Sequence, residues 1–227
     1  MNKMNNKNYK MALKENFTFW NFLSSEEKEK LLNATIYKKF YKGEHINNCG
    51  CECTGTIIVV EGSLRVYVMS EEGREVTLYH IKDGDVCVLS ASCVLSSITF
   101  DVFIDAEDEC VCYIVDGKCF EDIANSNIHA KNFAMEKILS RFSDVVWVLQ
   151  QVLFMSFDKR LAMFLLEEAE KNKSSEIYLT HEQMAQNLGT VREVVSRMLK
   201  YFENEEMIEM SRGKITVVNK ALLKELL

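Results

Sequence analysis

The sequence predicts an α+β protein with an N-terminal β jelly roll, a long dimerisation helix and a C-terminal winged helix-turn-helix. Three observations carry this expectation. TIIVV, LRVYVM, EVTLYHI, ITFDVFI and CVCYIV are short β-branched or aromatic runs, parted by turns at Glu61-Gly62, Glu71-Glu72-Gly73 and Lys82-Asp83-Gly84-Asp85. From about Phe120 the apolar period changes from two to about 3.6. The last stretch then holds a helix, a glycine turn, a second helix and a basic-tipped hairpin, in that order.

In chain order, the first residues, MNKMNNKNYKMALKENF, are polar and are expected to fray. An amphipathic helical region follows from about Phe19 to Thr35, where LSSEEKEKLL sets a serine cap before an acidic first turn. The five strand runs come next. Strands this short and closely spaced suit a small barrel or jelly roll, which covers its own edges and can hold a ligand inside. Ile128, Phe133, Met135, Ile138, Phe142, Val145, Leu149, Val152 and Phe154 then form a helical stripe. It is longer and more apolar than so small a barrel covers, which points to a second helix from a partner chain. A further helix is expected from Asp158 to Lys171.

The segment LTHEQMAQNLGTVREVVSRMLKYFENEEMIEMSRGKITVV opens with Thr180, three residues before Gln183, the spacing of a capping box. Gly189 supplies the turn, and Thr190 is placed to cap the next helix. On that helix Val194, Val195, Met198 and Leu199 turn inward and leave Arg192, Glu193, Ser196, Arg197 and Lys200 to solvent. Such a face suits the major groove of DNA. Arginine makes two hydrogen bonds to guanine, glutamate accepts from the cytosine amine, and a helix fits the groove. Arg212 and Lys214 sit at the hairpin tip, in reach of phosphate.

The 227 residues carry a formal charge of -7 with 48% hydrophobic side chains, which supports packed cores and argues against whole-surface attraction to nucleic acid. The acidity is uneven: residues 156–227 have a net charge of -1 and residues 1–155 a net charge of -6. A local basic patch is therefore compatible with an acidic chain. No apolar run is long enough for a membrane span, and the start lacks the apolar core of an export signal, so the cytoplasm is the expected compartment and no membrane partner is expected. With no GxxxxGK phosphate cradle, HExxH pair or nucleophile elbow, no enzyme activity is expected. The alternative is a ligand-binding or metal-binding dimer whose C-terminal domain contacts protein. Such a protein has no use for an exposed Arg192-Glu193-Arg197 surface.

These stretches together resemble the Crp/Fnr family of bacterial transcription regulators. The N-terminal mark is FYKGEHINN...GTIIVVEGSLRVYVMSEEGREVTLYHIKDGD, and the stronger mark is MAQNLGTVREVVSRMLKYFENEEMI...RGK. The SASC and ITFDV elements resemble a less characterised branch from Gram-positive anaerobes. The resemblance implies a cupin-like, cyclic-nucleotide-binding-like effector-sensing jelly roll over residues 17–125, a dimerisation helix over 126–155 and a winged helix-turn-helix DNA-binding domain over 156–227. It also implies a homodimer on a palindromic operator in double-stranded DNA, with RNA polymerase as a further candidate partner. By position, Arg192, Glu193 and Arg197 match the family's base-contacting residues, and Val191 stands where a small polar residue often contacts phosphate.

The resemblance leaves the signal unidentified, a small molecule or a redox change. In cyclic-nucleotide-binding members a Gly-Glu pair after the GD turn grips ribose, and a following Arg-Ser grips the cyclic phosphate. Here GDVCVLSASCVLSSITFDVFI has neither the Glu nor the Arg, so cyclic AMP is not expected. The cysteines are the other candidate sensor, because three or four thiolates hold zinc or an iron-sulfur cluster. In CGCEC, alternate residues Cys49, Cys51 and Cys53 share a strand face about 6 to 7 Å apart and need a bend at Gly50 to meet on one metal. Cys87 and Cys93 flank the degenerate nucleotide segment and are candidates for a reversible thiol switch. Cys110 and Cys112 alternate within a strand and read as small hydrophobes, while His45 and His80 are lone histidines with an ordinary surface role.

Overall fold

The structure, a computed structural model, describes residues 3–47, 55–88 and 102–227. Chain order begins with α1 (Lys3–Asn16), α2 (Ser25–Asn33), β1 (Thr35–Phe40), β2 (His45–Asn47), β3 (Thr56–Glu61), β4 (Leu64–Met69) and β5 (Glu75–Ile81). Next come β6 (Val86–Cys87), β7 (Phe103–Ala106), β8 (Cys110–Val115), α3 (Gly117–Ser126), α4 (Ile128–Phe154) and α5 (Phe157–Lys171). β9 (Glu176–Ile177), α6 (His181–Leu188), α7 (Arg192–Asn204), β10 (Ile208–Ser211), β11 (Lys214–Val217) and α8 (Lys220–Glu225) complete it. The architecture is α+β. Residues group into two units, Met1–Val68 with Leu78–Val145, and Met69–Thr77 with Val146–Leu227.

The first unit is built on two four-stranded sheets, ordered β1-β8-β3-β6 and β2-β7-β4-β5. Side-chain alternation on the strands decides what each face buries. Ile57 and Val59 of β3 and Cys110, Cys112 and Ile114 of β8 turn toward Leu64, Val66, Tyr79, Ile81 and Ile104 of the other sheet, forming the core between them. The intervening residues Ile58, Tyr113 and Val115 emerge on the opposite face, where α1, α2, α3 and the start of α4 cover them. Phe17, Phe19, Phe120 and Phe133 fill that second core, with the Phe17 and Phe19 rings stacked at 4.9 Å.

α2 begins where the sequence placed its cap. The Glu27 amide donates to Ser24 Oγ at 3.2 Å, and the Ser24 amide donates to the Glu27 carboxylate at 2.7 Å, so two orphan donors of the first turn are satisfied. The backbone bond from Ser24 holds the Glu27 carboxyl below its ordinary range. The N-terminal stretch, expected to fray, is instead helical over Lys3–Asn16. Tyr9, Ala12 and Leu13 recur at i, i+3 and i+4 and are buried, with the Tyr9 ring edge-on to Tyr113 at 5.1 Å. Three apolar residues on one side suffice when an aromatic floor is available to pack on, because tertiary packing supplies most helical stability in proteins.

The single stripe expected along α4 divides into two. Phe133 is buried in the second core and Val145 packs against the inter-sheet core. Ile128, Met135, Leu139, Phe142, Leu149 and Leu153 are more than half exposed, apart from Met135 at 49%. These six recur in a seven-residue pattern, Ile128, Met135, Phe142 and Leu149 on one register and Leu139 and Leu153 on the other, which is the spacing of a coiled-coil seam.

In the second unit, α5 to α8 and the sheet β10-β11-β9 enclose a core of Leu161, Leu165, Ile177, Met184, Leu199 and Phe202 among others. Among the described residues no helix is long and apolar enough to cross a membrane.

Candidate nucleic-acid interface

α6 starts with Thr180, whose Oγ1 accepts from the Gln183 amide at 3.1 Å while the Thr180 amide donates to the Gln183 side chain at 2.9 Å. It ends at Gly189, which adopts the left-handed conformation at φ 60° that lets the chain turn sharply. Thr190, expected to cap α7, does not. Its amide bonds back to the Ala185 carbonyl at 2.9 Å, finishing α6, and extended Val191 takes the N-cap position with no side-chain acceptor to offer. The turn geometry after a left-handed glycine therefore displaces the cap by one residue.

Val195, Leu199 and Phe202 of α7 are buried at i, i+4 and i+7, and Val194 and Met198 are half-buried at the margins of this stripe. The outward side exposes Arg192, Glu193, Arg197 and Lys200. Ser196 is half-buried, because His181 Nδ1 lies 2.8 Å from its Oγ. The cations differ in their engagement. Lys200 pairs with Glu203 at 2.8 Å, and Lys214 of the wing pairs with Glu176 at 2.6 Å. The hydrogen bond from Lys214, helped by one from Tyr178, holds the Glu176 carboxyl below its usual range, and Glu176 in turn raises Lys214. No side-chain hydrogen bond or ion pair among the described residues engages the guanidinium of Arg192, Arg197 or Arg212. Arg212 stands at the hairpin turn beside Gly213, at φ 74°.

Two open clefts flank α7. One, of about 450 Å³, is lined by Thr180, His181, Arg192, Ser211 and Lys214 between the start of α6 and the wing. The other, of about 490 Å³, is lined by Asp158, Val194, Arg197, Met198 and Tyr201. An amphipathic helix with free guanidiniums, flanked by a wing and by the N-terminus of a capped helix, matches how such helices enter a major groove while neighbouring elements meet the backbone.

Residues 159–226 match the model of the Crp-like helix-turn-helix domain, and residues 37–127 that of the cyclic nucleotide-binding domain. A protein of Eubacterium rectale, assigned to the Crp/Fnr family of transcriptional regulators, is 40% identical with a TM-score of 0.89, over 94% of this chain and 99% of that one. The chain belongs to the Crp/Fnr family. More distant Crp/Fnr relatives include the cAMP-activated global transcriptional regulator CRP of Pasteurella multocida, 24% identical over 70% of this chain and 78% of that protein. The c-di-GMP responsive global regulator CLP of Xanthomonas campestris shares the fold, at 15% identity and a TM-score of 0.71 over 86% of this chain and 99% of that one. Crp/Fnr membership makes this protein a DNA-binding, ligand-responsive transcriptional regulator.

The residues named as sensors in this Crp/Fnr chain are unevenly placed. Cys49, Cys51, Cys53 and Cys93 lie outside the described residues. Cys87 is buried in β6. Cys110 and Cys112 are buried between the sheets, and burial pushes each thiol up to about 12, which disfavours the reactive thiolate. His45 Nδ1 lies 2.5 Å from the Asp105 carboxylate, and His80 Nε2 lies 3.2 Å from Glu107. Among the described residues no group of three or more His, Cys, Asp or Glu side chains is placed to hold a metal ion.

Sequence reasoning passed over two residues. His181 follows the cap directly, and its signal was its place on the helix preceding the exposed one. Arg141 lies in the apolar run ILSRFSDVVW of α4, and a lone cation there marks a buried partner. Its guanidinium lies 4.7 Å over the Tyr79 ring, 3.1 Å from Asp144 and 3.7 Å from Asp85.

Proposed function

We propose that the protein acts as a homodimer, reading a palindromic operator with Arg192, Glu193 and Arg197. Arg212, Lys214, Lys200 and Thr180 meet the backbone, and Ser196 sets the pitch of α7. The observation that carries this reading is the outward face of α7, where free Arg192 and Arg197 sit opposite buried Val195, Leu199 and Phe202. The seven-residue apolar seam on α4 supports dimerisation, since an exposed seam of Leu, Met and Phe is stabilised by burial against a second copy. In this reading residues 17–125 sense, 126–155 dimerise and 156–227 bind DNA, with two copies of α7 set one helical turn apart.

The signal acts between residues 40 and 119 and changes the packing of α4 and the spacing of the two recognition helices. Arg141 is a residue through which this passes, because it ties α4 to Tyr79 and Asp85. The effector is other than cyclic AMP, since the segment after Gly84-Asp85 lacks the glutamate and the arginine that grip its ribose and phosphate in cyclic-nucleotide-binding members. Selecting binding sites from a random duplex pool tests the function. A palindromic consensus with salt-sensitive binding supports it, and enrichment of no sequence sinks it.

A further inference from the structure

β9 pairs with β11 so that Thr216 lies opposite Glu176 and Ile215 opposite Ile177. Side chains alternate between the faces of a strand, so buried Ile177 and Ile215 take the inner face and leave Glu176, Tyr178, Lys214 and Thr216 on the outer one. Glu209 joins this outer face, because β10 sets it opposite Thr216. The Glu176 carboxylate is used twice there. Lys214 Nζ donates to one of its oxygens at 2.6 Å, and the Tyr178 hydroxyl donates to the other at 2.5 Å. The bond from Lys214, and next the bond from Tyr178, hold the Glu176 carboxyl below its ordinary range, and Glu176 raises both donors. Lys214 also lines the cleft of about 450 Å³ between the start of α6 and the wing, with Thr180, Arg192 and Ser211. Tyr178, two residues before Thr180, is 67% exposed.

We propose that Glu176 is a counter-acid within the DNA-binding surface: it holds the Lys214 ammonium and the Tyr178 hydroxyl until a backbone phosphate takes them, and so limits how tightly the protein grips DNA of any sequence. The inference rests on the reading of Lys214 as a backbone contact, and it adds Tyr178 as a second phosphate donor. A phosphate oxygen is an anionic acceptor like a carboxylate oxygen, so the two compete for the same donors. Exposed ion pairs are weakly held, which lets a phosphate open this one. Until then, a cation beside its own carboxylate presents little net charge to DNA. Backbone contacts carry no sequence information, so Glu176 lowers operator and non-operator affinity together and leaves base reading to α7.

The test is a set of fluorescence-anisotropy titrations across a sodium chloride series, on an operator selected with the wild-type protein and on a scrambled duplex. Glu176→Gln removes the charge but keeps an acceptor oxygen. It is expected to bind both duplexes about two- to fivefold more tightly than wild type. Its slope of log affinity against log salt is expected to be steeper by about 0.9, the value of one further neutralised phosphate. Adding Tyr178→Phe to Glu176→Gln is expected to weaken both complexes about twofold. In the Lys214→Ala background, the gain from Glu176→Gln is expected to fall to that from Glu209→Gln, which removes a charge of the same face without opening the pair. Unchanged or weaker binding by Glu176→Gln, or a gain undiminished in Lys214→Ala, overturns the counter-acid. Unchanged affinity on adding Tyr178→Phe overturns the phosphate role of Tyr178. Thermal melts establish that each variant is folded, and Glu176→Ala is expected to show the same gain as Glu176→Gln. Wild type binding its selected operator establishes the DNA reading before any variant is compared, so an unchanged affinity in Glu176→Gln bears on the counter-acid alone.

Discussion

His181 on α6 holds Ser196 on α7, with imidazole Nδ1 2.8 Å from the serine Oγ. The two residues come from the two helices of the helix-turn-helix, so this contact bears on the angle at which α7 leaves the turn. It also explains why Ser196 is half-buried while Arg192, Glu193 and Arg197 around it are exposed.

Removing the contact from either side therefore has one cost. His181→Ala and Ser196→Ala each delete a hydrogen bond worth about 0.5 to 1.5 kcal/mol. Each is expected to weaken operator binding several-fold, and the double variant no more than the worse single one. Additive losses in the double-mutant cycle would mean that the two residues act separately.

Leu139→Glu places a charge in the exposed seam of α4, where Leu139 is 62% exposed in the single chain. Burying that charge against a second copy is unfavourable, so sedimentation equilibrium should show a monomer that no longer binds a palindrome. A dimer of unchanged affinity would move the interface elsewhere.

Arg141→Met keeps the aliphatic stem but removes the guanidinium from Tyr79 and Asp144. Chemical denaturation is expected to show a loss of about 1 to 2 kcal/mol. Unchanged stability would make the cluster an incidental surface arrangement, since its Asp85 and Asp144 carboxylates are each partly exposed.

Cys110 and Cys112 are held protonated by burial, with pKa values pushed up to about 12. At pH 8 neither thiolate is populated, so peptide mapping after iodoacetamide treatment of native protein should find both unmodified and denaturant should expose both. Rapid native labelling at either position would contradict the packing between the sheets.

β3, β4, β5 and β8 were legible because β-branched and aromatic runs such as TIIVV and CVCYIV alternate across two buried faces, whereas the six-residue β1, with Lys38 and Lys39 at its centre, was not. β2, β6 and β9 span only two or three residues each, too short to establish a period. α1 was missed for a related reason: its stabilising partners are Tyr113 and the other aromatics of a distant sheet, and its own sequence is mostly Asn and Lys. At the candidate site the outward arginines followed from helical spacing alone. Their relative availability did not, because Lys200 and Lys214 are paired by acids that folding brings near them, Glu203 one turn away and Glu176 from another strand. The α4 stripe was read as one, without Leu139 and Leu153, and its division between buried Phe133 and exposed Phe142 depends on where the sheets lie.

In the proposed complex Arg197 reads a base while Lys214 meets the backbone. Anisotropy titrations of wild type, Arg197→Ala and Lys214→Ala against the selected operator, and against operators substituted one base pair at a time, test it directly. Arg197→Ala is predicted to lose about 1 to 3 kcal/mol on the operator and to stop discriminating at one position in each half-site, whereas Lys214→Ala weakens every sequence about equally. Undiminished discrimination at every position in Arg197→Ala would contradict the account.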